Sequence, residues 1–195
     1  KHVKNLQSFG QTVVIAFNKF ATDTDEEIEV LRKHCEEMGC GFAVNSAFAE
    51  GGKGAMELAE LVVKTIDEHP SAPLYFAYDD NDTVEEKIEK VAFNLYGAGS
   101  VTLSDSAKAM IEEIKKLGAE KFPICIAKTQ YSFSTDAKAY GPTEGFELHA
   151  RDITVNMGAE MIVVIAGPIM RMPGLPKSPQ AERIDVVNGE ITGLS

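Results

Sequence analysis

A chain of 195 residues, 44% hydrophobic and 25% charged, is long enough to bury a substantial core as one domain with a smaller appended lobe. Its formal net charge of -11 and pI near 4.8 argue against the clustered basic surface that a nucleic acid requires, leaving small molecules or protein partners. Cys35, Cys40 and Cys125 form no C-x-x-C pair and the histidines show no ligand spacing, so neither a disulfide framework nor a metal site is indicated and a reduced, cytoplasmic setting is expected. The apolar runs, such as M-I-V-V-I-A-G from Met161, are too short to cross a bilayer and read as buried strands.

The opening K-H-V-K-N-L-Q-S-F-G lacks an initiator Met and places Val3 and Leu6 at helical spacing before a glycine stop at Gly10, which predicts a helix already under way and a piece of a longer polypeptide. Thr12 to Phe17 is a β-branched run suited to a central parallel strand covered on both faces. Thr24 and Glu27 form a capping box ahead of a helix whose inner face is Ile28, Leu31, Cys35 and Met38. Gly41 to Asn45 is the next strand, followed by A-F-A-E-G-G-K-G and a helix over about 55–68 with Met56, Ala59, Leu61, Val62, Val63 and Ile66 as its core face.

Residues 74–78, L-Y-F-A-Y, read as a strand, and Thr83 with Glu86 repeats the capping box before a helix with Val84, Ile88, Val91 and Leu95 inside. Val101 to Leu103 is a short strand. Ser104 then caps a helix with Ala107, Met110, Ile111, Ile114 and Leu117 on its inner face. Strands follow at Pro123 to Ala127, Phe146 to Val155 and Met161 to Ala166, and R-I-D-V-V-N-G-E-I-T-G-L is a hairpin on an Asn188-Gly189 turn. The whole reads as α/β, a mainly parallel sheet flanked by helices with a mixed or antiparallel C-terminal part. The composition break at His69 to Pro73 divides it into 1–69 and 70–195.

In such a fold ligands sit beyond the carboxyl ends of the strands, where two neighbouring strands here each deliver a phenylalanine, Phe20 and Phe48. The pair suits an aromatic clamp for a flat heterocycle; ordinary core packing is the alternative. Asn18, Lys19 and Asp23 frame the first strand end, where Asn18 and Asp23 either line the cleft or simply pin the loop. Gly51, Gly52, Lys53 and Gly54 open a helix as an anion site or as a plain turn, and the Gly after the Lys rules out a P-loop. Lys128, Thr129, Gln130, Tyr131 and Ser132 gather donors, acceptors and a cation after another strand, either as ligand groups or as a solvated loop with Tyr131 packed locally, and the Met172 to Pro179 run, stiffened by three prolines, either shapes a pocket wall or leads into the final hairpin.

Five separated stretches, V-V-I-A-F-N-K-F-A-T-D-T, A-F-A-E-G-G-K-G-A-M-E-L-A, C-I-A-K-T-Q-Y-S-F-S, I-M-R-M-P-G-L-P-K-S-P and R-I-D-V-V-N-G-E-I-T-G-L, resemble in order and spacing the C-terminal part of formate tetrahydrofolate ligase. The resemblance implies an enzyme that makes formyl phosphate from ATP and formate and passes the formyl group to N10 of tetrahydrofolate. It implies Mg²⁺ with the ATP, a monovalent cation and a homotetramer. It also implies a P-loop NTPase-like half whose P-loop this chain lacks, so that the isolated chain is expected to be inactive. By the same resemblance Phe20 and Phe48 sandwich the pterin. Phe48 stands where Trp is usual, Ala21 where Pro is frequent, and Val44 is an apolar wall; the Lys128 to Ser132 loop faces ATP or formyl phosphate. The competing reading is a non-catalytic module that binds a ligand or a partner.

Overall fold

The computed structural model describes residues 1–169 and 176–194, and these form an α/β fold with parallel and mixed sheets flanked by helices. Helix α1 (His2–Ser8) leads into β1 (Val14–Asn18), α2 (Asp25–Glu37) crosses over, and β2 (Gly41–Asn45) returns parallel to β1. The register runs from Val14 opposite Gly41 to Asn18 opposite Asn45, so both strands end at one level. Thr24 caps α2 as its sequence predicts: the hydroxyl accepts the Glu27 N–H and the Glu27 carboxylate accepts the Thr24 N–H at 2.9 Å.

One face of the β1–β2 sheet carries Val13 and Phe42, packed with Ile28, Cys35 and Cys40. Leu31, expected inside, is exposed, and the Arg32 guanidinium lies 4.8 Å over the Phe42 ring, covering it with a cation–π contact. The opposite face is built of small residues. A methyl added at Gly41 would stand 3.2 Å from Val14 and 3.3 Å from Leu61, which shows how closely α4 (Met56–Glu68) lies on the strands.

Helix α4 departs from the expected core face. Leu58, Leu61 and Thr65 point inward at helical spacing, while Met56, Val62, Val63 and Ile66 are exposed, Val63 by 59% and Ile66 by 64%. The helix is apolar over more of its circumference than a two-stranded sheet can cover.

The second core begins at α5 (Val84–Val91), which continues through a π-helical turn (Ala92–Tyr96) into β3 (Ser100–Leu103), α6 (Asp105–Lys116) and β4 (Ile124–Ala127). Strands β5 (Glu147–Asn156) and β6 (Met161–Ala166) complete a four-stranded sheet in the order β3-β5-β6-β4. The two outer pairs are parallel and β5–β6 is antiparallel, which is the mixed part read from the sequence. Val84, Ile88, Ile111, Ile114, Leu148, Ile153 and Ile162 are fully buried between sheet and helices. Leu117, expected among them, is exposed at the end of α6.

Residues 74–78 are not a strand. The Tyr75 N–H bonds the Phe9 carbonyl and its ring covers Gly10, while the Tyr78 hydroxyl accepts the Ile124 N–H at 3.1 Å, so the segment ties α1 and β4 together as an irregular strap. Its β-favouring residues are used one at a time against different elements. The Asn188-Gly189 hairpin is present, with β7 (Asp185–Val187) paired to β8 (Glu190–Thr192) and positive φ at both turn residues. The expected wall at Met172 to Pro179 lies in part outside the described residues. The total surface of 13131 Å² well exceeds the roughly 9,000 Å² of a compact monomer of this mass, in line with the exposed apolar side chains of α4, the strap and the hairpin.

Lys87 is fully buried in the second core: its Nζ donates to the carbonyls of Glu120 at 2.7 Å and Phe122 at 3.3 Å. Burial pulls its pKa below the usual lysine value against the opposing pull of Asp80 and Asp82. Lys87→Met keeps the stem but orphans both carbonyls, and is expected to lower unfolding free energy in urea by about 2 to 4 kcal/mol.

Candidate functional site

The level ends of β1 and β2 bring the predicted aromatic pair to one edge. Phe20 follows β1 by two residues, and Phe48 stands on a one-turn helix, α3 (Ala47–Glu50), directly after β2. Both rings face solvent in this chain, Phe20 at 62% and Phe48 at 96% exposure, so neither packs into the core formed by these residues. Leaving two large rings in water forgoes on the order of 2 kcal/mol of burial each, so the edge presents apolar surface ready to be covered.

The framing residues separate into those that hold the loop and those that remain available. Asp23 accepts the Phe20 N–H at 2.7 Å while its own N–H bonds the Phe20 carbonyl, closing the turn that carries Phe20 and Ala21. Lys19 is paired with Asp25 at 3.3 Å, and its N–H continues the ladder to the Asn45 carbonyl. Asn18 is joined to Asn45, whose amide donates to its oxygen at 2.8 Å. Val44 is half-buried with the α2-side cluster. Asn45 is the residue that reasoning from sequence passed over, and its signal was there: N-K-F and N-S-A-F each place an asparagine at a strand end shortly before a phenylalanine.

The glycine run is a turn of exacting geometry. Gly51 adopts φ 61 and ψ -144, open to glycine alone, and a Cβ on Gly54 would stand 2.5 Å from the Ser46 carbonyl carbon. The Ser46 N–H bonds the Gly54 carbonyl at 3.0 Å, so this turn fastens β2 to α4 and so seats α3 with its phenylalanine. Gly52 and Lys53 are exposed beside it.

The Lys128 to Ser132 group lines a separate cavity of about 600 Å³ with His2, Tyr96 and Phe133. Lys128 is committed to its own loop: its ammonium donates to the carbonyls of Thr129 and Ser132 and lies 4.7 Å over the Tyr96 ring. Its partial burial lowers its pKa, and burial raises that of the Tyr96 phenol. Thr129, Gln130 and Tyr131 remain on the cavity wall, and no residue of this wall is shared with the Phe20–Phe48 edge.

Comparison with known proteins decides the family. The model of formate–tetrahydrofolate ligase matches residues 1–195, the whole chain. The chain belongs to the formate–tetrahydrofolate ligase family. It is 64% identical over 195 residues to the formate–tetrahydrofolate ligase of Phocaeicola vulgatus, 63% to that of Bacteroides fragilis and 55% to that of Porphyromonas gingivalis. All of this chain is covered in each case, and it spans 35% of the length of these ligases. The resemblance read from the five motifs is therefore shown.

Within this family member the turn at Gly54 supports the aromatic edge mechanically. Gly54→Ala is expected to destabilise the fold by about 1 to 3 kcal/mol in urea unfolding, whereas Gly52→Ala, with open space around it, stays within about 0.5 kcal/mol of the parent.

Proposed function

We propose that this chain supplies the tetrahydrofolate side of an ATP-dependent formate–tetrahydrofolate ligase, with Phe20 and Phe48 taking the two faces of the pterin. The observation that carries the reading is the exposure of both rings at the level ends of two strands in parallel register. A flat bicyclic ring placed between them regains the burial that each phenylalanine forgoes and adds stacking. The Asp23 turn and the Gly51–Gly54 turn hold the two rings from opposite sides, so the ligand meets a preformed edge.

In the reaction so proposed, ATP and formate give formyl phosphate. The N10 amine of tetrahydrofolate attacks the formyl carbon, the new C–N bond forms, the C–O bond to phosphate breaks, and N10 loses its proton. This chain's part is to bind and orient the pterin so that N10 meets the formyl carbon. ATP, Mg²⁺, a monovalent cation and a homotetramer belong to the reading of the whole enzyme, as does the assignment of 1–69 to its nucleotide- and folate-binding core and 70–195 to a C-terminal α/β domain. The glycine turn here is not assigned to phosphate, since Gly54 is taken up by backbone packing, and Lys128 is not assigned to ATP or formyl phosphate because two of its three donors go to its own loop.

The chain has no tryptophan, so Phe48→Trp introduces a single tryptophan, excited selectively near the red edge of its absorption, at the proposed site. Titration with tetrahydrofolate is expected to quench it, and Phe20→Ala in that background to weaken binding by about 1 to 3 kcal/mol; in the parent chain, Phe48→Ala followed by calorimetry loses a similar amount. Binding unchanged by either alanine refutes the clamp. The pure 195-residue chain is expected to form no 10-formyltetrahydrofolate from ATP and formate, checked by absorbance of the acidified product.

A further inference from the structure

The hydrogen bonds behind the two phenylalanines have a direction that a backbone donor sets. The Ala47 N–H reaches the Asn45 side-chain oxygen at 3.2 Å, and a backbone N–H can only donate. The Asn45 amide is thereby oriented: its oxygen faces Ala47 and its NH₂ faces Asn18, where it donates to Oδ1 at 2.8 Å. Asn18 in turn must keep its oxygen toward Asn45, which leaves its own NH₂ pointing away from the pair. Among the described residues Asn18 Nδ2 has no acceptor, and Asn18 is exposed at the strand end two residues before Phe20. An asparagine free to rotate can offer either an oxygen or an NH₂, and this one is held to the second choice.

We propose that Asn18 is a specificity-determining hydrogen-bond donor for the ligand of this site, and that Asn45 is the positioning residue that fixes its polarity. The proposal rests on the reading of the edge as a pterin site, and it adds to that reading the sign of a polar contact. The ring's faces go to Phe20 and Phe48, and an acceptor atom on its edge goes to the Asn18 NH₂. Stacking tolerates any flat ring, whereas an oriented donor favours a ring whose edge presents an oxygen or an unprotonated nitrogen. The chain of orientation runs from the backbone of α3, so the element that carries Phe48 also sets the donor, and stacking face and polar edge come as one unit.

Asn45→Asp tests this without touching the ligand-facing residue. The carboxylate still accepts the Ala47 N–H, but its second oxygen has no proton to give. Asn18 then turns its NH₂ inward to Asp and its oxygen outward. A strut whose only task is to join the strands survives this change, because the hydrogen bond re-forms with reversed polarity. A polarity device does not. Tetrahydrofolate affinity of the chain, read by quenching in the Phe48→Trp background, is expected to fall about five- to tenfold in Asn45→Asp and by a similar factor in Asn18→Ala.

The double variant Asn18→Ala with Asn45→Asp is expected to bind no more weakly than Asn18→Ala alone. That non-additivity separates the donor from any repulsion by the new charge, which would persist in the alanine background. Asn45→Ser, whose hydroxyl takes the Ala47 N–H but does not reach Asn18, releases the amide instead of inverting it, and its loss is smaller than with Asp. Thermal unfolding of each variant checks that the fold is kept, and the serine variant decides the matter if the aspartate does not fold. Parent-like affinity in Asn45→Asp, or an equal loss from it in the Asn18→Ala background, overturns the inference while the clamp stands. Parent-like affinity in Phe20→Ala overturns the clamp itself, and the donor assignment falls with it.

Discussion

The register of β1 against β2 is the constraint on which the candidate site depends. Strand residues alternate faces, so Asn18 meets Asn45 only because Val14 stands opposite Gly41 and every pair between them is in step. A slip of one residue would turn Phe42 and Val44 out of the α2-side cluster, and with that the level ends and the asparagine pair would be lost. Burial on the α2 side and the small residues under α4 therefore select one register, and that register delivers both phenylalanines to one edge. The site inherits its geometry from packing in which, of its own candidate residues, Val44 alone takes part.

Two kinds of exposed apolar surface coexist in this molecule, and their surroundings differ. Met56, Val62, Val63 and Ile66 form an aliphatic face along a regular helix, the composition of a packing surface. Phe20 and Phe48 instead follow strand ends that carry an asparagine pair, an aspartate-closed turn and a glycine turn, so apolar side chains and oriented polar groups share one edge. Ligand sites combine these two features, whereas interfaces between packed elements are built mainly from the first. This contrast is why the proposed ligand site lies at the strand ends and not on the broader apolar face of α4.

Local signals in the sequence translated well where the physics is local. Both capping boxes, the glycine stop at Gly10 and the Asn188-Gly189 hairpin follow from hydrogen bonds or φ preferences within four residues, and the structure has each of them. Residues 74–78 misled because their β propensity is spent on contacts with Phe9, Gly10 and Ile124, partners that no short window contains. The faces of α4 and the exposure of Leu31 depend on how much sheet lies beneath the helices, which periodicity cannot report. For the site, the exposed state of Phe20 and Phe48 agreed with the polar company they keep in the sequence. The Asn18–Asn45 bond spans 27 positions and was visible only as two asparagines at matching strand ends.

Whether a polar side chain at a strand end can serve a ligand is settled by counting what it has already given away. Two of the three Lys128 protons go to carbonyls of its own loop and the ammonium lies over the Tyr96 ring, so a cation that looks suited to phosphate is largely engaged as a clasp for its own loop. Asp23 likewise gives a carboxylate oxygen to the Phe20 N–H, and Lys19 its charge to Asp25. Asn18 differs because its oxygen alone is used, and the partner that uses it is itself oriented by a backbone N–H. A side chain half engaged in this way has lost its freedom to rotate without losing its donors. Its rotational entropy is given up on folding and not on binding, and this is the sense in which the proposed site between Phe20 and Phe48 is preorganised for one polarity of ligand.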